Sequence, residues 1–269
     1  RRAEGTKEAL RAALALDLEC AEKAALAGDT VREAYARAEA AEVDFLQGEL
    51  RPAREEGRRA VALWRTLERR KQLGAALNDL GAIERDLEDP QAALEHYGEA
   101  LRIARALGDR RLEASLLHNI GGVYGLLREH TRAIDFLGQA LILKRSLHWH
   151  EAVTIDVLGM EHYGLRDYQA ALRYHRESLE MRRRSGDLRG QSITLTNMGW
   201  NLDALGRRAE ALAFYREALA LAETVGDRRQ QAILLDSTGK TLAGMKRLDE
   251  ALDCHQRALA LSRAIGDPE

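Results

Sequence analysis

The sequence has only three prolines in 269 residues, two cysteines and 5 % aromatic residues. Scarce proline leaves few places where a helix must break. Two thiols, Cys20 and Cys254, in the first and last helical segments are too few for a disulfide scaffold and too far apart along a stacked array for a bridge, so they read as thiols of a reducing, cytoplasmic setting. No window approaches the ~18 consecutive apolar residues of a membrane span. Nor does the opening Arg1-Arg2-Ala3-Glu4 carry the apolar core of a signal peptide. The formal net charge of −2 lacks the basic excess that a phosphate backbone demands, which disfavours nucleic acid as a partner. The chain opens without methionine, as a piece of a longer polypeptide would.

What is present suits long, solvent-laced helices: 45 % apolar and 31 % charged residues, evenly interspersed, point to an all-α protein. The stretch Gly190 to Asp227 shows the unit of construction. Leu195, Met198, Gly199 and Leu202 fall at i, i+3, i+4 and i+7, one face of a helix. After a turn at Gly206, Ala211, Tyr215 and Ala218 form a second stripe of the same period. The context of Gly199 returns at Leu80-Gly81, Ile120-Gly121, Leu158-Gly159 and Thr238-Gly239, each followed twelve residues later by Ala93, Ala133, Ala171 or Ala251. Seven further on stands Ala100, Ala140, Ser178, Ala218 or Ala258. Gly-Asp pairs at 108, 186, 226 and 266 end the second helix with a C-cap glycine. The period is 40 residues (239 − 199, 121 − 81), with one spacing of 38 (159 − 121).

Carried backwards, the frame puts Ala41 at the glycine position and Ala53 and Ala60 at the alanine positions. The expected units are 32–68, 70–108, 110–147, 150–186, 188–226 and 228–266, preceded by an orphan second helix at 6–27, in a single array over 6–267. Small residues permit close helix approach, while Leu195, Tyr97 and Tyr215 fill the space between.

This pattern resembles the tetratricopeptide repeat, whose signature is a Leu-Gly pair, an aromatic three residues on, and an Ala…aromatic…Ala run in the second helix. Ile120-Gly121-x-x-Tyr124…Ala133…Ala140 is the clearest copy. The 40-residue period is similar to the long-helix variety of kinesin light chains, Pins-type spindle-orientation adaptors, bacterial multidomain regulators and caspase-like CHAT proteins. The aromatic is replaced by Glu84, His162, Leu202 and Leu242 in other copies, and the usual proline is absent. The resemblance implies a right-handed superhelical solenoid of about six helix pairs plus one leading helix. It further implies a non-enzymatic scaffold or sensor module that holds an extended or helical partner segment in its concave groove. A regulatory region that senses a small molecule or signalling peptide and switches an attached protease, ATPase or transcription factor is the alternative.

No catalytic motif competes with this reading. Ser237-Thr238-Gly239-Lys240-Thr241 imitates the end of a phosphate-binding loop, but Leu234 stands where that loop needs glycine. GxSxG, HExxH, CxxC and EF-hand patterns are missing, so no catalytic residue, cofactor or metal is expected. His148-Trp149-His150 replaces a Gly-Asp linker beside the one short spacing. Imidazole can bind metal, yet no carboxylate or thiolate stands at fixed spacing; a local kink, a partner contact or drift in the linker are the other readings. His175 and His255 occupy the aromatic position of the second helix, as core fillers would.

On the first helices, the stripe not used for packing carries the expected ligand contacts: Asn78, Arg85, His118, Asn119, Asp156, Tyr163, Asn197, Trp200, Asp203, Asp236 and Lys240. By resemblance, Asn119 and Asn197 would hold a ligand's main chain through their amides. Acids outnumber bases along the stripe, with Glu39, Glu42, Asp79, Asp86, Asp156, Asp203 and Asp236 against Arg85 and Lys240. The expected partner is therefore a protein or peptide segment with basic residues. End-to-end self-association, or a missing capping helix, is expected from Leu252, Leu259 and Leu261. Arginine outnumbers lysine by 35 to 6, in keeping with a GC-rich bacterial source.

Overall fold

The computed structural model describes the backbone of residues 2–266 and side chains from residue 9 onward, so the Asp267-Pro268 end of the expected array lies outside the described residues. Among them are thirteen helices and no strand. The chain divides into two compact units, Arg1–Leu147 and His148–Glu269, with the division at the irregular His148-Trp149-His150 segment.

The first unit contains α1 (Arg2–Ala27), α2 (Thr30–Gln47), α3 (Leu50–Thr66), α4 (Arg70–Asp86), α5 (Pro90–Leu107), α6 (Arg110–Leu126) and α7 (His130–Ser146). The second contains α8 (Ala152–Gly164), α9 (Tyr168–Ser185), α10 (Leu188–Ala204), α11 (Arg208–Val225), α12 (Arg228–Gly244) and α13 (Leu248–Ile265). Within each unit every helix packs on the next, and alternate helices α2, α4 and α6, like α8, α10 and α12, touch as well. This is the pattern of a helical solenoid.

Local chemistry sets the helix limits. Asp29, Asp109, Asp187 and Asp227 each accept a hydrogen bond from the backbone N–H three residues on, capping α2, α6, α10 and α12. The glycine before each of them has a left-handed backbone, with φ between 67° and 71°. Asp89 caps α5 in the same way, with Pro90 in its first turn. Helix α8 departs from the rule. Its N-cap Glu151 makes no side-chain capping hydrogen bond, His148 takes the left-handed position at φ 49°, and the helix has 13 residues where the other first helices of the second unit have 17. The short spacing read from the sequence is thus a shortened, uncapped helix start.

The core follows the predicted register. Tyr97, Leu77, Leu80, Leu116 and Leu117 are 0–1 % exposed in the first unit, and Leu195, Leu172, Leu234 and Tyr215 are 0–2 % exposed in the second. Each repeat glycine lies under a side chain of its paired helix. A Cβ built on Gly81 would lie 2.6 Å from the Tyr97 ring, on Gly121 2.7 Å from Leu137 Cγ, on Gly159 2.5 Å from the His175 ring, on Gly199 2.2 Å from the Tyr215 ring, and on Gly239 2.7 Å from the His255 ring. Of the two histidines in this position, His175 is fully buried, whereas the His255 side chain is 39 % exposed because no described helix packs over α13. Leu252 and Leu259 on α13 are likewise exposed.

Neighbouring glycines on α6 separate the two roles of the residue. Gly121→Ala must displace Leu137 and the Ala133 carbonyl, whereas a methyl at Gly122 meets nothing within 4 Å. Thermal unfolding is expected to show Gly121→Ala destabilised by about 1–3 kcal/mol through overpacking and Gly122→Ala stabilised by about 0.5–1 kcal/mol through helix propensity. Equal effects from the two substitutions would contradict this packing.

Candidate functional site

Four of the expected contact residues, Asn78, Arg85, His118 and Asn119, lie on α4 and α6 of the first unit. Asn119 Nδ2 donates to Asn78 Oδ1 at 3.0 Å, and Asn78 Nδ2 donates to Asp79 Oδ1 at 3.1 Å. Arg85 Nε donates to Asp86 Oδ1 at 2.8 Å. These side chains form a polar ladder from one first helix to the next. His118 is half-buried; burial, with Lys144 and Arg85 nearby, pulls its imidazole down to about 4.

The remaining seven lie in the second unit, where the ladder is repeated with other residues. Asn197 Nδ2 donates to Asp156 Oδ2 at 3.3 Å, and Trp200 Nε1 donates to Ser237 Oγ at 2.9 Å. Asp236 pairs with Lys240 one turn on and with His255 Nδ1 at 3.2 Å. Asp203 lies 3.5 Å from Arg208 Nε; burial, and after it the nearby Tyr168 and Asp203, raise the Tyr163 phenol. Tyr163 is an exposed ring, 5.4 Å from Tyr168 between centroids. Trp200 is half-buried against the Leu195 and Leu202 core, so its ring orientation is fixed.

Asp156 differs from its expected place on the open face. It is 4 % exposed, and His175 Nδ1 at 2.8 Å, Asn197 and Arg182 at 3.5 Å surround its carboxylate. The cause is the histidine over Gly159: an imidazole in the ring position offers a nitrogen where tyrosine offers only ring edge, and the carboxylate turns inward to meet it. Asp156 and Asn197 are thus spent inside the protein.

Spacing alone did not reveal the buried acids facing arginine. Glu84, fully buried, accepts from Arg58 Nη2 at 2.8 Å with Arg54 at 3.8 Å. Glu113 accepts from Arg105 and Arg110 at 2.9 and 3.0 Å. These two hydrogen-bonded arginines hold the Glu113 carboxyl below the usual range against the opposing effect of burial. Gln191 and Gln231, each eight residues before a repeat glycine, donate to the Arg182 and Ala222 carbonyls at the end of the preceding helix. The signal that could have found them is the arginine or carbonyl-bearing helix end one unit earlier, at a fixed offset from the glycine.

The same face is not uniformly neutralised. Glu42 on α2 and Asp79 on α4 rim a cavity of about 270 Å³, and among the described residues neither pairs with a cation. Crowding by the protein and the Glu42 charge push the Asp79 carboxyl up. Among the described residues no group of three or more His, Cys, Asp or Glu is placed to hold a metal ion, and Cys20 and Cys254 are free thiols. No described helix is long and apolar enough to cross a membrane. Ser237-Thr238-Gly239-Lys240-Thr241 lies inside α12 with Gly239 beneath His255, leaving no loop to cradle a phosphate.

The tetratricopeptide repeat family model matches residues 72–146, 151–224 and 209–264. The chain belongs to the tetratricopeptide repeat family. Solved structures of similar fold include BtubC (BKLC) from P. vanneervenii, with 20 % identity and TM-score 0.66 over 82 % of this chain and 91 % of that one. The apo form of RapI has 14 % identity and TM-score 0.72 over 95 % and 99 %. A STAND protein with a tetratricopeptide repeat sensor, PH0952 from Pyrococcus horikoshii, has 16 % identity and TM-score 0.71 over 87 % of this chain and 38 % of that one. No curated protein sequence matches the chain.

Two measurements test the geometry of these tetratricopeptide repeats. Asp156→Ala leaves Arg182 and His175 buried without their acceptor, and denaturant unfolding is expected to show a loss of about 3–5 kcal/mol; a change below 1 kcal/mol would place Asp156 on the open face after all. For His118, the folded value of about 4 lies below the usual imidazole value of 6.5, so the unfolded chain binds more protons between those limits. That contribution to stability is complete above about 6.5 and falls as pH drops toward 4. In unfolding titrations His118→Gln should flatten the slope in this window, and an unchanged slope would count against the buried neutral imidazole.

Proposed function

We propose that this tetratricopeptide repeat chain is a non-catalytic recognition module that holds a basic peptide or protein segment against the faces of its first helices. The observation that carries the reading is the pair Glu42 and Asp79, two carboxylates on that face without a cation partner among the described residues. A negative face speeds encounter with cationic segments and loses strength as salt rises. Of the three arginines at helix starts that could reverse the sign, Arg110, Arg189 and Arg228, two are already engaged: Arg110 with Glu113 and Arg189 with Asp227 at 2.9 Å. Trp200 and Tyr163 supply fixed and exposed aromatic faces to an arginine or an apolar side chain. Asn119 retains a half-exposed amide for a ligand main chain, whereas Asn197 is buried and contributes to helix stacking instead.

A regulatory sensor is the second reading. It is favoured by the fold shared with the STAND sensor segment and with a Rap protein whose structure contains Competence and Sporulation Factor. Both readings use the same face and differ in what is attached to it.

Matched peptide libraries rich in Lys/Arg or in Asp/Glu decide the sign of the partner. Fluorescence anisotropy is expected to show preference for the basic library at low salt and roughly tenfold weaker binding at high salt. Preference for the acidic library would overturn the proposal.

A further inference from the structure

In five repeats the residue sixteen after the repeat glycine lays its side chain across that glycine: Tyr97 on Gly81, Leu137 on Gly121, His175 on Gly159, Tyr215 on Gly199 and His255 on Gly239. In the α2–α3 repeat the two roles are exchanged. Ala41 stands at the glycine position and Gly57 stands where the covering side chain belongs. A Cβ built on Gly57 would lie 3.3 Å from Leu80 Cδ1, 3.8 Å from Ile83 Cδ1 and 3.9 Å from Ala41 Cβ, so the pairing with Ala41 survives and two branched side chains of α4 lean against the glycine. No ring covers Ala41. Beside these side chains is the cavity of about 270 Å³, whose lining includes Ala41, Gly57, Phe45, Leu80 and Ile83 together with the exposed Glu42 and Asp79.

We propose that this cavity is the anchor pocket for a peptide ligand, taking one aromatic or large aliphatic side chain that lies next to a lysine or arginine. The inference rests on the peptide-binding reading and deepens it by naming the residue that the ligand must carry. Its size and lining favour a single side chain, because drug-sized ligands need clefts of roughly 300–1,000 Å³. The chain itself shows what fits between two such helices, namely the phenol of Tyr97 one repeat on and of Tyr215 further along. Apolar walls provide the burial term. The two carboxylates at the mouth select the neighbour: without a cation partner among the described residues, they make the entrance favourable to an ammonium or guanidinium and unfavourable to an acidic residue.

The variant that tests the pocket is the double substitution Ala41→Gly with Gly57→Tyr, which rebuilds the Gly81–Tyr97 pair and fills the space from within. Peptides carrying Phe or Leu between lysines are expected to bind the native chain at least tenfold more tightly than the same peptides with Ala at that place, and to lose this advantage in the double variant. Glu42→Gln with Asp79→Asn should weaken the Lys-flanked peptides by a similar factor while sparing the fold. Should the filled variant fail to fold by circular dichroism, Ala82→Trp at the half-exposed mouth supplies the block. Phenethylammonium, followed by NMR shifts at Phe45, Leu80 and Ile83, probes the cavity without a peptide. Basic peptides that bind regardless of the anchor side chain and of the filling would overturn the pocket and leave the binding face standing. If no basic peptide binds the native chain, the binding-face reading fails; phenethylammonium binding that the filled variant abolishes then still supports the cavity as a site for an apolar cation, and absence of that binding overturns it.

Discussion

A side chain laid over a glycine is the contact on which five of the repeats depend. With hydrogen in place of a methyl, the backbone of the first helix can approach the ring or branched side chain of the second to a distance no alanine would allow, since a Cβ built on these glycines would lie only 2.2–2.7 Å from the covering side chain. That contact fixes the spacing within the pair. Full burial of Ala93 and Ala100, or of Ala211 and Ala218, on either side of the covering residue keeps the second helix equally close. Everything larger is then placed by exclusion: leucines and tyrosines occupy the wedges between pairs, and charged side chains go to the outer faces or find a partner.

Close packing of this kind has consequences for polar groups that cannot escape. Glu84, Glu113 and Asp156 are buried, and each is matched by arginine, histidine or amide groups from an adjacent helix. A buried ion pair is weak evidence of added stability, because desolvation opposes the attraction. Its value here lies in register. Asn119 to Asn78, Asn197 to Asp156 and Trp200 to Ser237 each link one first helix to the next at a defined offset, whereas apolar stripes tolerate small slides.

Much of the fold was legible because both signals that carry it are local and periodic. The glycine-to-alanine interval of twelve and the Gly-Asp pairs announced a repeated pair of helices, and the thirteen described helices form such a solenoid. Some corners were not legible. Glu88, Arg128, Arg166 and Lys246 adopt the left-handed conformation without being glycine, held there because the helices on both sides dictate the turn. The stripe proposed as a binding face was legible as a set of positions and not as a set of available groups. A stripe reveals which side chains share a face, but whether a carboxylate remains free depends on what the neighbouring helix brings to it. Asp156 shows this: nothing near it in the sequence announces His175, whose nitrogen arrives only through the helix pairing.

The same reasoning explains why one vacancy persists when proteins ordinarily close theirs. Removal of a core side chain leaves a void to the extent that the surrounding elements are prevented from relaxing into it. Around Gly57 they are prevented. Ala34, Ala53 and Ala60 are 0–1 % exposed, so α3 already sits against its neighbours at the limit that methyl groups permit, and Leu80 and Ile83 are fixed by the next repeat. Ala41 removes the option of a closer approach, because its methyl stands where the other repeats have hydrogen. The helices therefore hold their spacing with the covering side chain missing, and the space opens beside Glu42 and Asp79, two carboxylates that line it without a cation among the described residues. Repulsion between two such charges is relieved by a cation at the mouth, and the apolar walls are shielded from water by a hydrocarbon or ring within; a single ligand segment that carries both groups satisfies the two demands at once.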